Sequence, residues 1–133
     1  MLRAVADTHT IIWYLYDDAR LSATARTEIE NAAAEGDQIA VSFITLVEII
    51  YLVEKGRINA ATMTRLVAEL DLADAVLTEV PLNRHVAQAM RRIARSDVPD
   101  MPDRIIAATA LYLAIPIISR DRKICASDLK TIW

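Results

Sequence analysis

The chain has 133 residues, 54% of them hydrophobic and 25% charged, with a formal net charge of −3. That length suits one domain with a real core, and that composition excludes a disordered chain. The acidic balance excludes a coat protein that holds nucleic acid through a broad basic surface, and the single cysteine, Cys125, fits a reducing, cytoplasmic setting.

The opening "MLRAVAD" is too quickly acidic for a signal peptide, and residues 2–6 read as a short buried strand ending at Asp7. A first helix is expected from about Thr10 in "TIIWYLY". Its crowded apolar run, with Trp13, Tyr14 and Tyr16, suggests that part of it faces a protein partner. A second helix follows, with Ser22 as N-cap, Ala25, Ile29, Ala32 and Ala33 on one face, and Gly36 just beyond its end. "QIAVS" is the next strand. "ITLVEIIYLVEKG" is apolar nearly all round, which predicts a largely buried helix closed by Gly56. After Asn59 as cap, Met63, Leu66, Val67 and Leu70 repeat at helical spacing. Residues 75–80 form a strand closed by Pro81. "NRHVAQAMRRIARS" sets Val86, Ala89, Met90, Ile93 and Ala94 on one helical face. A further helix opens at Pro102, and "IPIIS" and "KTIW" supply the last strands. The greasiest stretch, residues 105–118, is interrupted by Thr109 and Pro116 and is shorter than the roughly 20 apolar residues of a membrane span.

Strands alternating with helices predict an α/β domain over residues 1–133, three layers with a mainly parallel central sheet of four or five strands. Ligands of such sheets sit beyond the carboxyl ends of the strands, where strand order switches. Asp7 and Asp121 each follow a predicted strand. Asp103 stands in the first turn of the helix leading into the second of these strands. Glu48 lies inside an apolar helix with no basic neighbour before Lys55. A buried carboxylate must be paired, protonated or bound to a cation. Each acid also has a local explanation: a helix cap for Asp7, the helix dipole for Asp103, a turn for Asp121, a distant arginine for Glu48. All four together point to one site. Convergent carboxylates suit Mg²⁺ or Mn²⁺, and such ions suit metal-assisted phosphodiester hydrolysis. A doubly wound phosphatase of the aspartyl-nucleophile kind fits poorly, because His9 stands where its second aspartate belongs. A phospho-accepting receiver lacks its paired acids too.

The segments "ADTHTIIWYLYDDARLSATA", "VSFITLVEI", "MPDRIIAATAL", "IISRDRKI" and the closing "IW" resemble the VapC-type toxins of the PIN-domain ribonuclease family, in order and over nearly the whole chain. The resemblance implies an Mg²⁺-dependent endoribonuclease with Asp7, Glu48, Asp103 and Asp121 as its acids, Asp7 and Asp103 foremost as metal ligands. It also implies a VapB-type antitoxin as partner, with a homodimer and toxin–antitoxin hetero-oligomers. A nuclease of RNA maturation without antitoxin, or an inactive PIN-like binding module, are the alternatives. One departure is the lack of a glycine in "YLAIPII" before the last core strand. Around the acids, Thr8, Ser42 and Ser119 are candidates for orienting carboxylates, with helix capping as the other reading. Arg104, Arg120, Arg122 and Lys123 are candidates for holding RNA phosphates. Arg84, Arg91, Arg92 and Arg95 form a basic helical face that reads first as solvated charge.

Overall fold

In a computed structural model that describes residues 1–133, twelve elements follow one another. They are β1 (Leu2–Ala6), α1 (Thr8–Leu15), α2 (Ala23–Ala34), β2 (Gln38–Ser42), α3 (Phe43–Glu54), α4 (Thr62–Leu70) and β3 (Leu77–Val80). Then come α5 (Arg84–Ala89) with a 3₁₀ turn at Met90–Arg92, α6 (Met101–Leu113), β4 (Ile117–Ile118), α7 (Arg122–Ala126) and β5 (Thr131–Ile132).

The five strands form one sheet in the order β3-β2-β1-β4-β5, and every pairing is parallel. Side chains alternate across each strand, so the sheet feeds two cores. Ala4, Ala6, Ile39, Val41 and Ile118 face α1, α2 and α4, where Ile11, Ile29 and Leu66 are fully buried. Val5, Ala40 and Ile117 face α5, α6 and α7, where Val86, Ile106 and Ile124 are fully buried. The result is the expected three-layer α/β/α arrangement. The chain leaves β1 toward β2 and β3 on one side and later adds β4 and β5 on the other. Strand order therefore switches between β1 and β4.

Local chemistry explains the element ends. Ser22 caps α2 by accepting the Ala25 N–H at 3.0 Å. Gly36 and Gly56 take positive φ just past α2 and α3, as placed from the sequence. The missing glycine after α6 is replaced by Ala114, which itself adopts the left-handed conformation at φ 56°.

Several expectations are corrected. The first helix starts at Thr8, because Asp7 caps it directly after β1. The fifth helix is cut to Arg84–Ala89 and a 3₁₀ turn, and Ile93 is extended. The Arg104 guanidinium accounts for the early end: it donates to the Met90 carbonyl at 2.8 Å and the Ile93 carbonyl at 3.1 Å. Ala33 and Ala94 are exposed, as is Val67. Trp13 is not a partner surface: it is 5% exposed and packs edge-on against Trp133. Conversely, α3 is not largely buried. Phe43, Ile50 and Tyr51 are about half exposed on one side of it, Tyr51 the most at 59%. The short α7 has too little periodicity to be read from sequence. No helix is long and apolar enough to cross a membrane.

Candidate active site

Asp7 is the best-held acid. It ends β1, caps α1 and is 6% exposed. One carboxylate oxygen accepts the Thr10 N–H at 2.9 Å, and the other accepts the Ser119 hydroxyl at 2.5 Å. Ser119, fully buried just past β4, also accepts the Asp121 N–H at 3.0 Å. One hydroxyl thus ties together the acids that follow the two strands of the switch point. Asp121 caps α7 through a single oxygen, which accepts the Lys123 and Ile124 N–H groups at 2.9 and 3.0 Å. Its second oxygen has no bond within the chain.

Glu48 reaches the site from the second turn of α3. Thr8 donates to it at 2.5 Å and lies 3.1 Å from the Thr45 hydroxyl. Burial raises the Glu48 carboxyl above the ordinary range; the Thr8 bond opposes this, and the charge on Asp100 adds to it. Asp103 is in the first turn of α6. Burial pushes its carboxyl up to about 7, helped by the charges of Asp100, Asp121, Glu48 and Asp7.

The four acids predicted from sequence therefore share one cleft of about 380 Å³ at the switch point, and a fifth, Asp100, joins them. Asp100 caps α6 by accepting the Asp103 N–H at 3.1 Å. Its signal was an aspartate three residues before another, with proline between them ahead of an apolar run, which is a helix-start pattern. His9, Trp13 and Arg120 complete the walls. Trp13 carries the Arg120 guanidinium at 4.6 Å from its ring, and His9 leans on it at 5.6 Å. Trp13 thus packs the core with part of its indole and supports two cleft residues with the rest.

The other candidates separate cleanly. Thr8 and Ser119 do hold carboxylates. Ser42 does not; it caps α3 by accepting the Ile44 N–H at 3.3 Å. Arg104 is withdrawn as a phosphate contact, because its guanidinium is committed to two backbone carbonyls. Arg122 and Lys123 are exposed at the start of α7 but do not line the cleft. Arg120 does.

None of the chain's ion pairs includes any of the five acids. Arg120 is the one guanidinium in the cleft wall, and it pairs with none of them. No three of the carboxylates close on one point as a ready-made cage. A hard cation such as Mg²⁺ keeps several waters and needs only one or two carboxylates, so the donor chemistry of the cleft is compatible with one. Asp7 and Asp103 could hold such an ion, and Glu48, Asp121 and Asp100 line the same cleft.

The fold and cleft define an α/β domain that gathers five acids, none of them ion-paired, at the switch of a parallel sheet. Residues 4–128 match the model of the PIN domain. Ribonuclease VapC22 of Mycobacterium tuberculosis is 31% identical over 124 residues, covering 93% of this chain and 91% of that protein. The chain belongs to the PIN-domain family, in its VapC-type branch. Solved structures agree on the fold. The VapBC2 complex of Rickettsia felis, bound to a promoter DNA fragment, matches at TM-score 0.72 and 16% identity, covering 98% of this chain and 97% of that one. A toxin–antitoxin complex from Klebsiella pneumoniae matches at 0.66 and 22%, covering 98% and 96%. FitAcB from Neisseria gonorrhoeae matches at 0.65 and 21%, covering 96% and 95%.

Proposed function

We propose that this protein is a metal-dependent endoribonuclease that acts as the toxin of a toxin–antitoxin pair. It uses Mg²⁺, or Mn²⁺, in the cleft of Asp7, Glu48, Asp103 and Asp121. The observation that carries this reading is the gathering of five acids in one cleft, none of them in an ion pair. The names of the similar proteins, a ribonuclease and toxin–antitoxin complexes, support the substrate class and the partner.

When bound, the ion supplies activated water and stabilises the attacking and leaving oxygens of a phosphodiester. The protein's own part is positional. Ser119 and the Thr10 N–H fix both oxygens of Asp7. Thr8 holds Glu48. Burial and the neighbouring acids push the Asp103 carboxyl up to about 7, so a cation held there would compete with a proton. Arg120, braced on Trp13, offers the one guanidinium in the cleft wall to an RNA phosphate. The partners are a VapB-type antitoxin and a second copy of the chain, in a cytoplasmic setting. The exposed apolar residues Phe43, Ile50 and Tyr51 of α3 and Val67 of α4 supply surface for protein contacts.

The test is RNA cleavage by the wild type and Asp7→Asn, with Mg²⁺ and with excess EDTA. Asp7→Asn keeps the shape and removes a ligand charge, so the rate is expected to fall at least about a hundredfold. EDTA is expected to stop the wild type, and added Mg²⁺ to restore it. Cleavage that ignores the chelator, or an Asp7→Asn variant as fast as wild type, sinks the mechanism. Expression without antitoxin is expected to arrest growth, and Asp103→Ala to relieve it.

A further inference from the structure

A second cleft, of about 660 Å³, lies between α5 and α6, away from the acids. Its chemistry is opposite in sign. Arg91 and Arg92 line it, both exposed and neither in an ion pair. Asp97 and Asp128 stand in an adjoining hollow beyond Arg92 but do not neutralise it. In the same cleft, the rings of His85 and Tyr112 stack at 5.6 Å with only 8° between their planes. Tyr112 is 46% exposed, although it sits on a core helix.

Two features connect this cleft to the acids. Helix α6 carries Asp103 in its first turn and Tyr112 in its last, roughly 13–14 Å apart along the axis. Arg104, next to Asp103, holds the carbonyls of Met90 and Ile93 on either side of Arg91 and Arg92. The start of α6 therefore fixes both the acid and the stretch that bears the two arginines.

We infer that the cleft between α5 and α6 is a second RNA-binding site, in which His85 and Tyr112 stack an unpaired base and Arg91 and Arg92 hold adjacent phosphates. This rests on the ribonuclease reading and narrows its substrate to RNA with a single-stranded stretch beside the cut. Flat exposed rings next to free guanidinium groups are the standard means of gripping single strands without reading sequence. A second copy of the chain suits the cleft poorly. A two-fold contact sets a patch against itself, which here brings arginines against arginines. A protein anchor would also want more apolar surface than Ala89, Leu111 and the Tyr112 ring provide.

The experiment uses fluorescence anisotropy with a labelled, unstructured RNA of about 12 nucleotides, a length within single-strand site sizes. The parent is Asp7→Asn, so that bound RNA stays intact. Adding Arg91→Ala and Arg92→Ala is expected to weaken binding about tenfold and lower the log–log salt slope by about 1.4, or 0.7 for each phosphate contact on a single strand. Adding Tyr112→Ala is expected to weaken binding about tenfold at an unchanged slope, while Tyr112→Phe, which keeps the ring, binds like the parent. Equal binding by all variants overturns the site, as does a change in oligomeric state with no change in RNA affinity. Wild-type cleavage with Mg²⁺, run alongside, separates the two proposals. Cleavage with unaffected variant binding discards the cleft alone, whereas no cleavage and no parent binding discards the ribonuclease reading and the cleft with it.

Discussion

Acidic clusters sit at the two ends of β1, and the chain treats them in opposite ways. At the start, Arg3 lies among Glu28, Glu35 and Asp37 at 3.4, 2.5 and 3.6 Å, and the N-terminal amine adds a contact to Asp37 at 3.4 Å. At the end, Asp7 opens a cleft of five acids, none of them ion-paired. The first cluster is closed: a guanidinium meets each carboxylate and nothing further is required. In the second, hydroxyls and backbone N–H groups take that place. They orient oxygens without neutralising them, which is what the proposed metal site requires. The difference teaches that withheld counter-charge, more than the number of acids, sets the cleft end of the strand apart.

The largest effect expected beyond loss of a ligand itself comes from Ser119. It touches no solvent, yet it donates to Asp7 and accepts from the Asp121 N–H. Ser119→Ala leaves both without that partner and is expected to weaken Mg²⁺ about 10–100-fold, the usual range for groups that orient metal ligands. Ser119→Thr, which keeps the hydroxyl, is expected to recover most of this. The readout is the Mg²⁺ concentration giving half-maximal cleavage, together with the Mg²⁺-dependent rise in Tm. An alanine variant with wild-type Mg²⁺ dependence would show that Ser119 serves the fold only.

A smaller effect is expected from pH. The ordinary aspartate value is 3.8, and burial moves Asp103 to about 7 in the folded protein. The folded state then binds a proton that the unfolded state has released, so stability falls as pH rises between those values. Glu48 is shifted in the same direction. In EDTA, Tm is therefore expected to be higher at pH 5 than at pH 8, and Asp103→Asn to flatten the difference. Mg²⁺ needs the deprotonated acids, so its stabilising effect is expected to be larger at pH 8 than at pH 5. A flat wild-type profile in EDTA would mean that the cleft carries no unrelieved charge, and the contrast between the two ends of β1 would be lost.

Much of this was legible in the residues, for reasons particular to a parallel sheet. The acids after β1 and β4 are easy to place because strand ends define the ligand edge, whatever the helices do. Glu48 stood out because it interrupts an apolar helix. What stayed hidden depended on direction and on distant partners. Asp100 lies in a connecting segment, and its place in the cleft follows from its role as N-cap, one residue before a helix opening at Pro102 would suggest. Arg104 adjoins a catalytic candidate and so invites a phosphate role, yet its guanidinium turns toward carbonyls more than ten positions away. The same contact ends α5 early, although the apolar repeat runs on to Ala94. Helix α3 is apolar on every side, a pattern that looks the same whether its outer face meets core or open surface.

The smallest effect is expected at the closed end, where Arg3→Ala breaks the comparison from the other side. Removing the guanidinium leaves Glu28, Glu35 and Asp37 close together without their shared cation. Charges this near the surface are screened, so the loss of Tm is expected to be modest, larger at low salt than at high salt. Cleavage and Mg²⁺ affinity are expected to stay at wild-type levels, because Arg3 lies at the far end of the strand from Asp7. Added Mg²⁺ discriminates further. If the new acid cluster merely lacks its partner, Mg²⁺ restores little of the lost Tm, since no buried hydroxyl such as Ser119 or Thr8 orients those carboxylates. Full restoration by Mg²⁺ would show that any crowded group of acids in this chain recruits the ion. The fixed oxygens of Asp7 and Glu48 would then cease to distinguish the cleft.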